Sequence, residues 1–480
     1  MSNLQITFWG GVGTVTGANF LLESPNSKIL IDCGLLQGAA DSEEENKKPF
    51  PYDPKIVNYL FVTHAHTDHI GRIPKLVREG FRGTIYSTTE TRELSELMIA
   101  DALKIMNQLD FQTPSEHVTS SPTPGVKPAP LYEQKDADMA FSLWKTISYD
   151  TKTQINEEFS VNLKDAGHIL GAAMYEFTYA DRTRNERRQT QTDKPIKIVF
   201  SGDSGNSPSP LLKDTEPITD ADYLIIDSVY GDRVHEPKEE RDERFKQIIL
   251  DTIEKGGALV VPAFSIERTQ VILYELNNLI EKSKIPSVPV FLDSPLAEKV
   301  TEVYARFSKD FNFTVQDEIK SGDNIFNFPK LSITHSSRGS MDIVNTPNPK
   351  IIIAGSGMSS GGRVVGHEIK YLPDPKSTIL LMGYQALGTL GRMIQDKPAQ
   401  ADINRRIVPV RARIEMISGY SSHKDSDALV KMVADTEKTV RKVFVVMGEP
   451  KSSMFLAQRL RDELGVQAIY PERGKTYELQ

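Results

Sequence analysis

This chain of 480 residues has a single cysteine and lacks any apolar run long enough to form a membrane-spanning helix. Cys33 cannot form an internal disulfide, and one cysteine excludes every metal site built from several thiolates. The first residues also lack the basic start and apolar core of a secretory signal. We therefore expect a cytoplasmic protein with no membrane partner.

An excess of positive charge is also missing, since the formal net charge is −8. The whole chain therefore has no general attraction to nucleic acid, and an RNA partner would need a locally basic groove or bound cations. The hydrophobic content of 39% and charged content of 25% are globular values, which argues against disorder. The length predicts two domains, or one domain with a large insertion.

Hydrophobic periodicity divides the chain into two regions with different predicted secondary structure. Up to about residue 220, short β-like runs alternate with turns, as in "LQITFWGG", "ANFLLES" and "SKILIDCG". From about residue 221, strands such as "GALVVPAF" and "KIIIAGSGM" alternate with helical segments, which is typical of a parallel sheet with crossover helices. The pattern predicts a layered α/β protein.

Three of the nine histidines lie within six positions, in "THAHTDH". The apolar run "YLFVT" predicts a buried strand that ends at His64, and in an extended segment His64 and His66 point to the same side. Asp68 and His69 can return to the same centre as the chain turns into a helix. Capping and surface roles are the alternative, but imidazole and carboxylate at this spacing favour a site for zinc or a related divalent metal.

Further ligands are available in two glycine-flanked turns. "DAGHILGA" contains His168, and "IVFSGDSGN" places Asp203 at the end of an apolar strand. Either turn alone would be weak evidence, since such turns are common. Together with the histidine cluster they supply a third imidazole and a carboxylate able to bridge two metals.

With these motifs the chain resembles the β-CASP nucleases of the metallo-β-lactamase superfamily, which include relatives of the cleavage and polyadenylation nuclease and ribonuclease J. The resemblance extends in order through "ILIDCG", "GHILGA", "FSGDSGN", "DSVYGDRVH", "VPAFSIERTQ", "FLDSPLA", "GSGMSSGGR", "GYQALGTLGR" and "ISGYSSHKD". It implies an α/β fold in which a metallo-β-lactamase αββα sandwich carries an inserted α/β β-CASP domain. The expected boundaries are residues 1–208 and 395–480 for the sandwich and 209–394 for the insertion.

The resemblance also implies a centre of two zinc ions, with manganese as the alternative metal. The first metal would be bound by His64, His66 and His168, and the second by Asp68 and His69, with Asp203 bridging the two. A zinc-activated water would then attack the phosphodiester.

Three further residues have roles implied by the family pattern. Asp32 would orient ligands without binding metal. Asp227 would be the acid of the first β-CASP motif, and His423, in the second motif, would donate a proton to the leaving oxygen.

The chain departs from the family pattern at the end of the strand "VFVVMGEP", where relatives typically have a histidine and this chain has Met447. A thioether is a soft, weak ligand for zinc, manganese or magnesium. Three consequences are open: a weak second metal, a one-metal enzyme, or a protein that has lost activity and kept RNA binding.

The glycine-rich segment "GSGMSSGGRVVGHEIKYL" predicts a loop entering a helix, whose free N–H groups could bind phosphate. The residues expected to contact the RNA backbone are Ser359, Ser360, Arg363, Arg268 and Arg392. The resulting prediction is a metal-dependent ribonuclease acting on single-stranded RNA, in a chain that could form a homodimer. The alternatives are hydrolysis of a small ester or lactam, and an RNA-binding or scaffolding paralogue.

Overall fold

The computed structural model describes residues 4–38, 41–109, 130–180, 194–436 and 438–480. The sequence also predicts that the arginine-rich segment "DRTRNERRQTQTDK", residues 181–194, is the tip of a β-hairpin; residues 181–193 of it lie outside the described part of the chain. In the described residues, no helix is both long and apolar enough to cross a lipid bilayer.

The strands of the described residues are short and form three large sheets and one hairpin. Their bounds are β1 Leu4–Phe8, β2 Phe20–Glu23, β3 Lys28–Ile31, β4 Tyr59–Phe61, β5 Thr84–Ser87, β6 Trp144–Thr146, β7 Thr153–Gln154, β8 Phe159–Asp165, β9 Ala173–Tyr179, β10 Ile196–Phe200, β11 Tyr223–Asp227, β12 Ala258–Pro262, β13 Val290–Asp293, β14 Leu331–Ile333, β15 Lys350–Ala354, β16 Thr378–Met382, β17 Gln400–Ile403, β18 Arg406–Pro409, β19 Arg413–Ile417, β20 Lys442–Val446, β21 Ala468–Ile469 and β22 Thr476–Leu479.

The helices lie on the outer faces of these sheets. Their bounds are α1 Ser42–Lys47, α2 Thr67–Ile70, α3 Ile73–Arg78, α4 Thr89–Leu109, α5 Gln134–Ser142, α6 Lys238–Glu254, α7 Arg268–Glu281, α8 Pro295–Arg306, α9 Phe313–Lys320, α10 Ser337–Asn345, α11 Val364–Tyr371, α12 Leu390–Gln395, α13 Ser426–Ala434 and α14 Pro450–Leu464.

Two of the sheets pack face to face. The first has the order β22-β1-β2-β3-β4-β5-β6, and the second β21-β20-β11-β10-β9-β8-β7. Aromatic and aliphatic side chains of both sheets fill the space between them, and the Phe61 and Phe177 rings meet edge to face at 4.9 Å. Helices α3, α4 and α5 cover the outer face of the first sheet, and α13 and α14 that of the second. This arrangement is an αββα sandwich, as expected.

The third sheet has the order β14-β13-β15-β12-β16-β19, and its strands are all parallel. Its central strands are buried along their whole length, because crossover helices cover both faces. This sheet forms the inserted α/β domain.

The sheet pairing differs from the domain boundaries drawn at residues 208/209 and 394/395. Strand β11 pairs with β10 and β20 in the sandwich, and β19 pairs with β16 in the inserted domain. The chain therefore crosses to the inserted domain after Asp227 and returns after Ile417. Periodicity gives no sign of this, because a buried parallel strand has the same apolar pattern in either sheet.

Candidate metal centre

Four side chains from three strand ends converge at one edge of the sandwich. His64 and His66 follow β4, His168 lies in the turn between β8 and β9, and Asp203 follows β10. His66 Nδ1 lies 3.1 Å from His64 Nε2 and 3.2 Å from His168 Nε2. Asp203 Oδ2 lies 3.5 Å from His64 Nε2 and 3.7 Å from His168 Nε2. The structure thus brings together the four residues that the sequence suggests for a first metal.

Four of the six separations among these donor atoms are close to those of a tetrahedral cation site. Ligands about 2.0–2.1 Å from a zinc ion form a tetrahedron with edges of about 3.3 Å. The measured separations scatter around this value. Burial lowers the pKa of His66 to about 3, and burial together with His69 or His423 holds those of His64 and His168 well below their usual value. The imidazoles are therefore neutral and present lone pairs to a cation.

Backbone and hydroxyl groups orient two of these rings from behind. His168 Nδ1 lies 3.0 Å from the carbonyl oxygen of Ser422, which can only accept, so Nδ1–H donates and Nε2 is left unprotonated. His64 Nδ1 lies 3.0 Å from Thr63 Oγ1. The sequence motifs gave no indication of the Ser422 carbonyl, which comes from the segment that follows β19.

A second group of donors lies on the other side of Asp203. His69 Nε2 is 3.4 Å from Asp203 Oδ1 and 3.8 Å from Asp68 Oδ2. Both His69 Nε2 and Asp203 Oδ1 are buried without a hydrogen-bond partner, as expected for atoms that bind a cation. Burial opposes a charge on His69, but Asp203, Asp32 and Asp68 raise its pKa well above the usual value, so a bound cation would displace a proton.

The Asp32 carboxylate points towards the His69 ring and away from the proposed metal positions. Its Oδ2 lies 2.7 Å from His69 Nδ1, and it accepts hydrogen bonds from the Thr63 backbone and hydroxyl, each at 2.8 Å. The residue adopts a positive φ of 59°, which is uncommon outside glycine. This geometry suits a carboxylate that fixes the ring of a metal ligand.

Met447 occupies the wall beside His69. The residue is 2% exposed, and its thioether packs so closely on Gly11 that a Cβ there would lie 2.5 Å from Sδ. With Phe20, Asp32, Thr63 and His69, Met447 lines a small cavity beneath the second donor group. In the described residues the second group therefore has two carboxylates and one imidazole, with the Met447 thioether in the adjoining wall.

Asp227 and His423 lie beside Asp203, on the side opposite His69. Asp227 is fully buried and accepts a hydrogen bond of 3.0 Å from the Ser204 backbone, while its Oδ2 lies 3.7 Å from His423 Nδ1. The His423 side chain is 20% exposed. Burial opposes its protonation, but the carboxylates of Asp227 and Asp203 raise the pKa of His423 above its usual value. This histidine can therefore hold a proton at the rim of the site.

The residues expected to contact RNA differ in solvent exposure and in the hydrogen bonds that they already make. Ser359 is buried and donates a hydrogen bond to Glu368, and Arg363 donates to Asp293 at 2.7 Å and to the Thr334 carbonyl at 2.9 Å. Both residues therefore hold the glycine-rich loop together. Ser360 is exposed and Arg392 is half-buried.

Arg268 is a buried cation at the start of α7. In the described residues its Nε has no hydrogen-bond partner, and its charge makes a small contribution to the lowered pKa of His66. Burial lowers the pKa of Arg268 itself to about 10, which leaves it charged at neutral pH. A buried cation beside a metal centre is suited to an anionic substrate.

Family models match most of the chain in three segments. The Metallo-beta-lactamase superfamily domain matches residues 21–184, the Beta-Casp domain residues 269–394, and the Zn-dependent metallo-hydrolase RNA specificity domain residues 407–471. A solved structure titled as a protein of unknown function from Enterococcus faecalis V583 has a TM-score of 0.54 over 99% of this chain and all of that one. At 14% identity this likeness shows the fold alone.

Curated relatives align over nearly the whole chain. Ribonuclease TTHA0252 of Thermus thermophilus is 32% identical over 95% of this chain and 96% of its own length. The RNase J-like protein of Methanocaldococcus jannaschii is 28% identical over 98% of both chains. Transcription termination factor FttA of Methanosarcina mazei is 28% identical over 97% of this chain and 70% of its own length. These matches confirm the resemblance seen in the motifs: the chain belongs to the β-CASP branch of the metallo-β-lactamase superfamily of metal-dependent hydrolases.

Proposed function

We propose that the protein is a metal-dependent ribonuclease that hydrolyses phosphodiester bonds of single-stranded RNA. The observation that carries this proposal is the convergence of His64, His66, His168 and Asp203, whose donor atoms lie 3.1–3.7 Å apart in the four pairs measured. Two of the relatives are named as ribonucleases, and one family model is described as an RNA specificity domain. We also propose a cytoplasmic location, and a homodimer stays a prediction.

We also propose two metal positions, occupied by zinc, with manganese as the alternative. His64, His66 and His168 would hold the first ion, Asp68 and His69 the second, and Asp203 has one oxygen on each side. Bound metal would supply Lewis acidity and lower the pKa of a water molecule to near neutrality. Asp32 keeps the His69 ring in place through its bond to Nδ1.

The remaining residues would donate a proton to the leaving oxygen and bind the RNA. His423, kept protonated by Asp227 and Asp203, would give its proton to the leaving oxygen. Arg268 would contact a phosphate of the RNA. Ser360 and Arg392 would contact other parts of the RNA backbone. Backbone contacts of this kind carry little sequence information, so we expect modest selectivity among RNA sequences.

A comparison of substrates tests this function. Purified protein supplied with zinc or manganese should cleave end-labelled single-stranded RNA, and chelator should stop cleavage. A nitrophenyl carboxylic ester and a chromogenic β-lactam should be hydrolysed at least about a thousandfold less efficiently, a difference in barrier of about 4 kcal/mol. Faster turnover of either small molecule than of RNA would overturn the proposal.

Met447 favours a second candidate, an RNA-binding paralogue with weakened or lost catalysis. The second donor group lacks a fourth strong ligand, which would lower its metal affinity. Tight RNA binding with one metal per chain, and no cleavage at any metal concentration, would favour this candidate over the ribonuclease.

We expect Met447→His to strengthen the second metal position. Met447 has a φ of 48°, a region in which histidine is enriched, and an imidazole there adds a nitrogen donor beside His69. Metal retained after dialysis against a weak chelator should rise towards two ions per chain, as measured by elemental analysis.

Met447→Leu is the matched control, because leucine has a similar volume and cannot bind metal. It should leave metal content unchanged. Equal metal content in the two variants would mean that position 447 does not reach the second metal position.

A further inference from the structure

The turn that carries His168 is bound from the inserted domain. In this turn, residues 166–172 between β8 and β9, Ala166 N–H donates to the Ala172 carbonyl at 3.0 Å, which closes the loop. The Leu170 N–H, two residues beyond the histidine, donates to the hydroxyl of Tyr304 at 3.2 Å, and this contact is buried. Tyr304 lies on α8 and is fully buried. A side chain of the inserted domain thus holds a loop of the sandwich.

The Tyr304 hydroxyl is itself held by Glu267. The hydroxyl has one proton, which it donates to Glu267 Oε2 at 2.7 Å, so its lone pairs remain free to accept from Leu170. Glu267 is 4% exposed, which places its carboxyl group among packed side chains. The chain Glu267–Tyr304–Leu170 is therefore a buried, directional set of hydrogen bonds that ends beside a metal ligand.

The backbone at Glu267 is strained. Its φ of 63° and ψ of −58°, with the Arg268 N–H donating to the Ile266 carbonyl at 2.8 Å, form a γ-turn that is rare for a residue other than glycine. Such a conformation persists only where surrounding contacts fix it, and it is concentrated at functional sites. Here the turn places the Glu267 carboxyl on Tyr304 and starts α7 at Arg268.

His168 is held on its other side by the Ser422 carbonyl. Ser422 follows β19, where the chain returns from the inserted domain, and Tyr304 lies within that domain. The Ser422 carbonyl also accepts from the Asn206 N–H at 3.0 Å, so this contact lies within the sandwich, and the Leu170–Tyr304 bond is the contact that ties the loop to the inserted domain.

We propose that Glu267 and Tyr304 are positioning residues that hold the His168 loop from the inserted domain, so that docking of the two domains strengthens metal binding at the first metal position. This inference rests on the proposed assignment of His168 as a metal ligand. It gives the insertion a part in supporting the metal site.

Tyr304→Phe tests the proposal, with Tyr274→Phe as the matched control. Tyr274 also lies in the inserted domain and donates to a carboxylate, Glu318 Oε2, at 2.8 Å, but it makes no bond to the His168 loop. Zinc affinity is measured by competition with a chromogenic chelator, in the full chain and without RNA. Loss of a direct outer contact to a metal ligand weakens metal binding by about 10–100-fold. Tyr304 acts through Leu170, so we expect a loss near the lower end of that range, about tenfold, for Tyr304→Phe. Tyr274→Phe should bind zinc like the unmodified protein.

A second variant keeps the test valid if Tyr304→Phe does not fold. Glu267→Gly removes the carboxyl group and allows the positive φ, and it should also weaken zinc binding, whereas Glu267→Gln retains an acceptor oxygen and should restore it. Zinc affinities of Tyr304→Phe and Glu267→Gly that match the control would overturn the proposal. Failure of the unmodified protein to cleave RNA would overturn the ribonuclease function without changing these affinities.

Discussion

His64→Ala is expected to abolish RNA cleavage and to remove tightly bound metal. His64 is fully buried and supplies one of the four donor atoms of the first metal position. Alanine in its place leaves three donor atoms and an empty space where the imidazole was. Metal contributes several kcal/mol of transition-state stabilisation, and each 1.36 kcal/mol is tenfold in rate, so we expect a loss of about a thousandfold or more. Elemental analysis and cleavage of end-labelled RNA measure the two effects.

His335→Ala is the matched control for this variant. The His335 side chain is 71% exposed and pairs with Glu298 on the surface of the inserted domain. It should keep full activity and metal content. His66→Ala, at a less buried position of the same donor group, should reproduce the His64→Ala result, and a fully active His64→Ala variant would contradict the proposed mechanism.

The metal centre could be predicted from sequence because its ligands lie in local motifs. Strand β4 ends just before His64 and α2 begins at Thr67, so spacing alone indicated that the histidines share one side. His168 and Asp203 also follow strand ends, and their convergence could be inferred only by analogy with a known fold. The pairing that joins β8, β9 and β10 in one sheet supplies the missing geometric reason.

Other features could not be predicted because they depend on contacts between distant segments. Ser359 and Arg363 were expected to face RNA, but their partners Glu368 and Asp293 were not identifiable before the loop was seen folded against α11 and β13. The Tyr304 contact joins residues that are 134 positions apart. Local patterns carry no information on such pairs.

The position of Arg268 connects RNA binding with metal binding. With a net charge of −8, the protein as a whole repels RNA, so binding must rely on local charge. A cation buried at the start of α7 supplies that charge close to the metal ligands, and cations bound at the donor groups would add to it. RNA binding and metal binding should therefore be coupled, with weaker RNA binding after chelation.

His423→Ala is expected to lower the rate of RNA cleavage by about 10²–10⁴-fold, the range typical for loss of a general acid. His423 lies at the rim of the site, and its pKa is raised by the carboxylates of Asp227 and Asp203. In contrast to His64→Ala, this variant should retain its metal and its affinity for RNA. Single-turnover cleavage, elemental analysis and RNA binding in the absence of turnover separate these quantities.

Substrates with different leaving groups test whether His423 donates a proton during cleavage. A nucleotide nitrophenyl phosphodiester releases an anion that needs no protonation, so the loss caused by His423→Ala should be much smaller with it than with RNA. The same loss with both substrates would argue against proton donation. Loss of metal from the variant would instead assign His423 to the donor group that it forms with Asp203 and Asp227, whose ligand atoms all lie within 4.8 Å of one another. The two substrates and the metal content together therefore distinguish an acid from a ligand at this position.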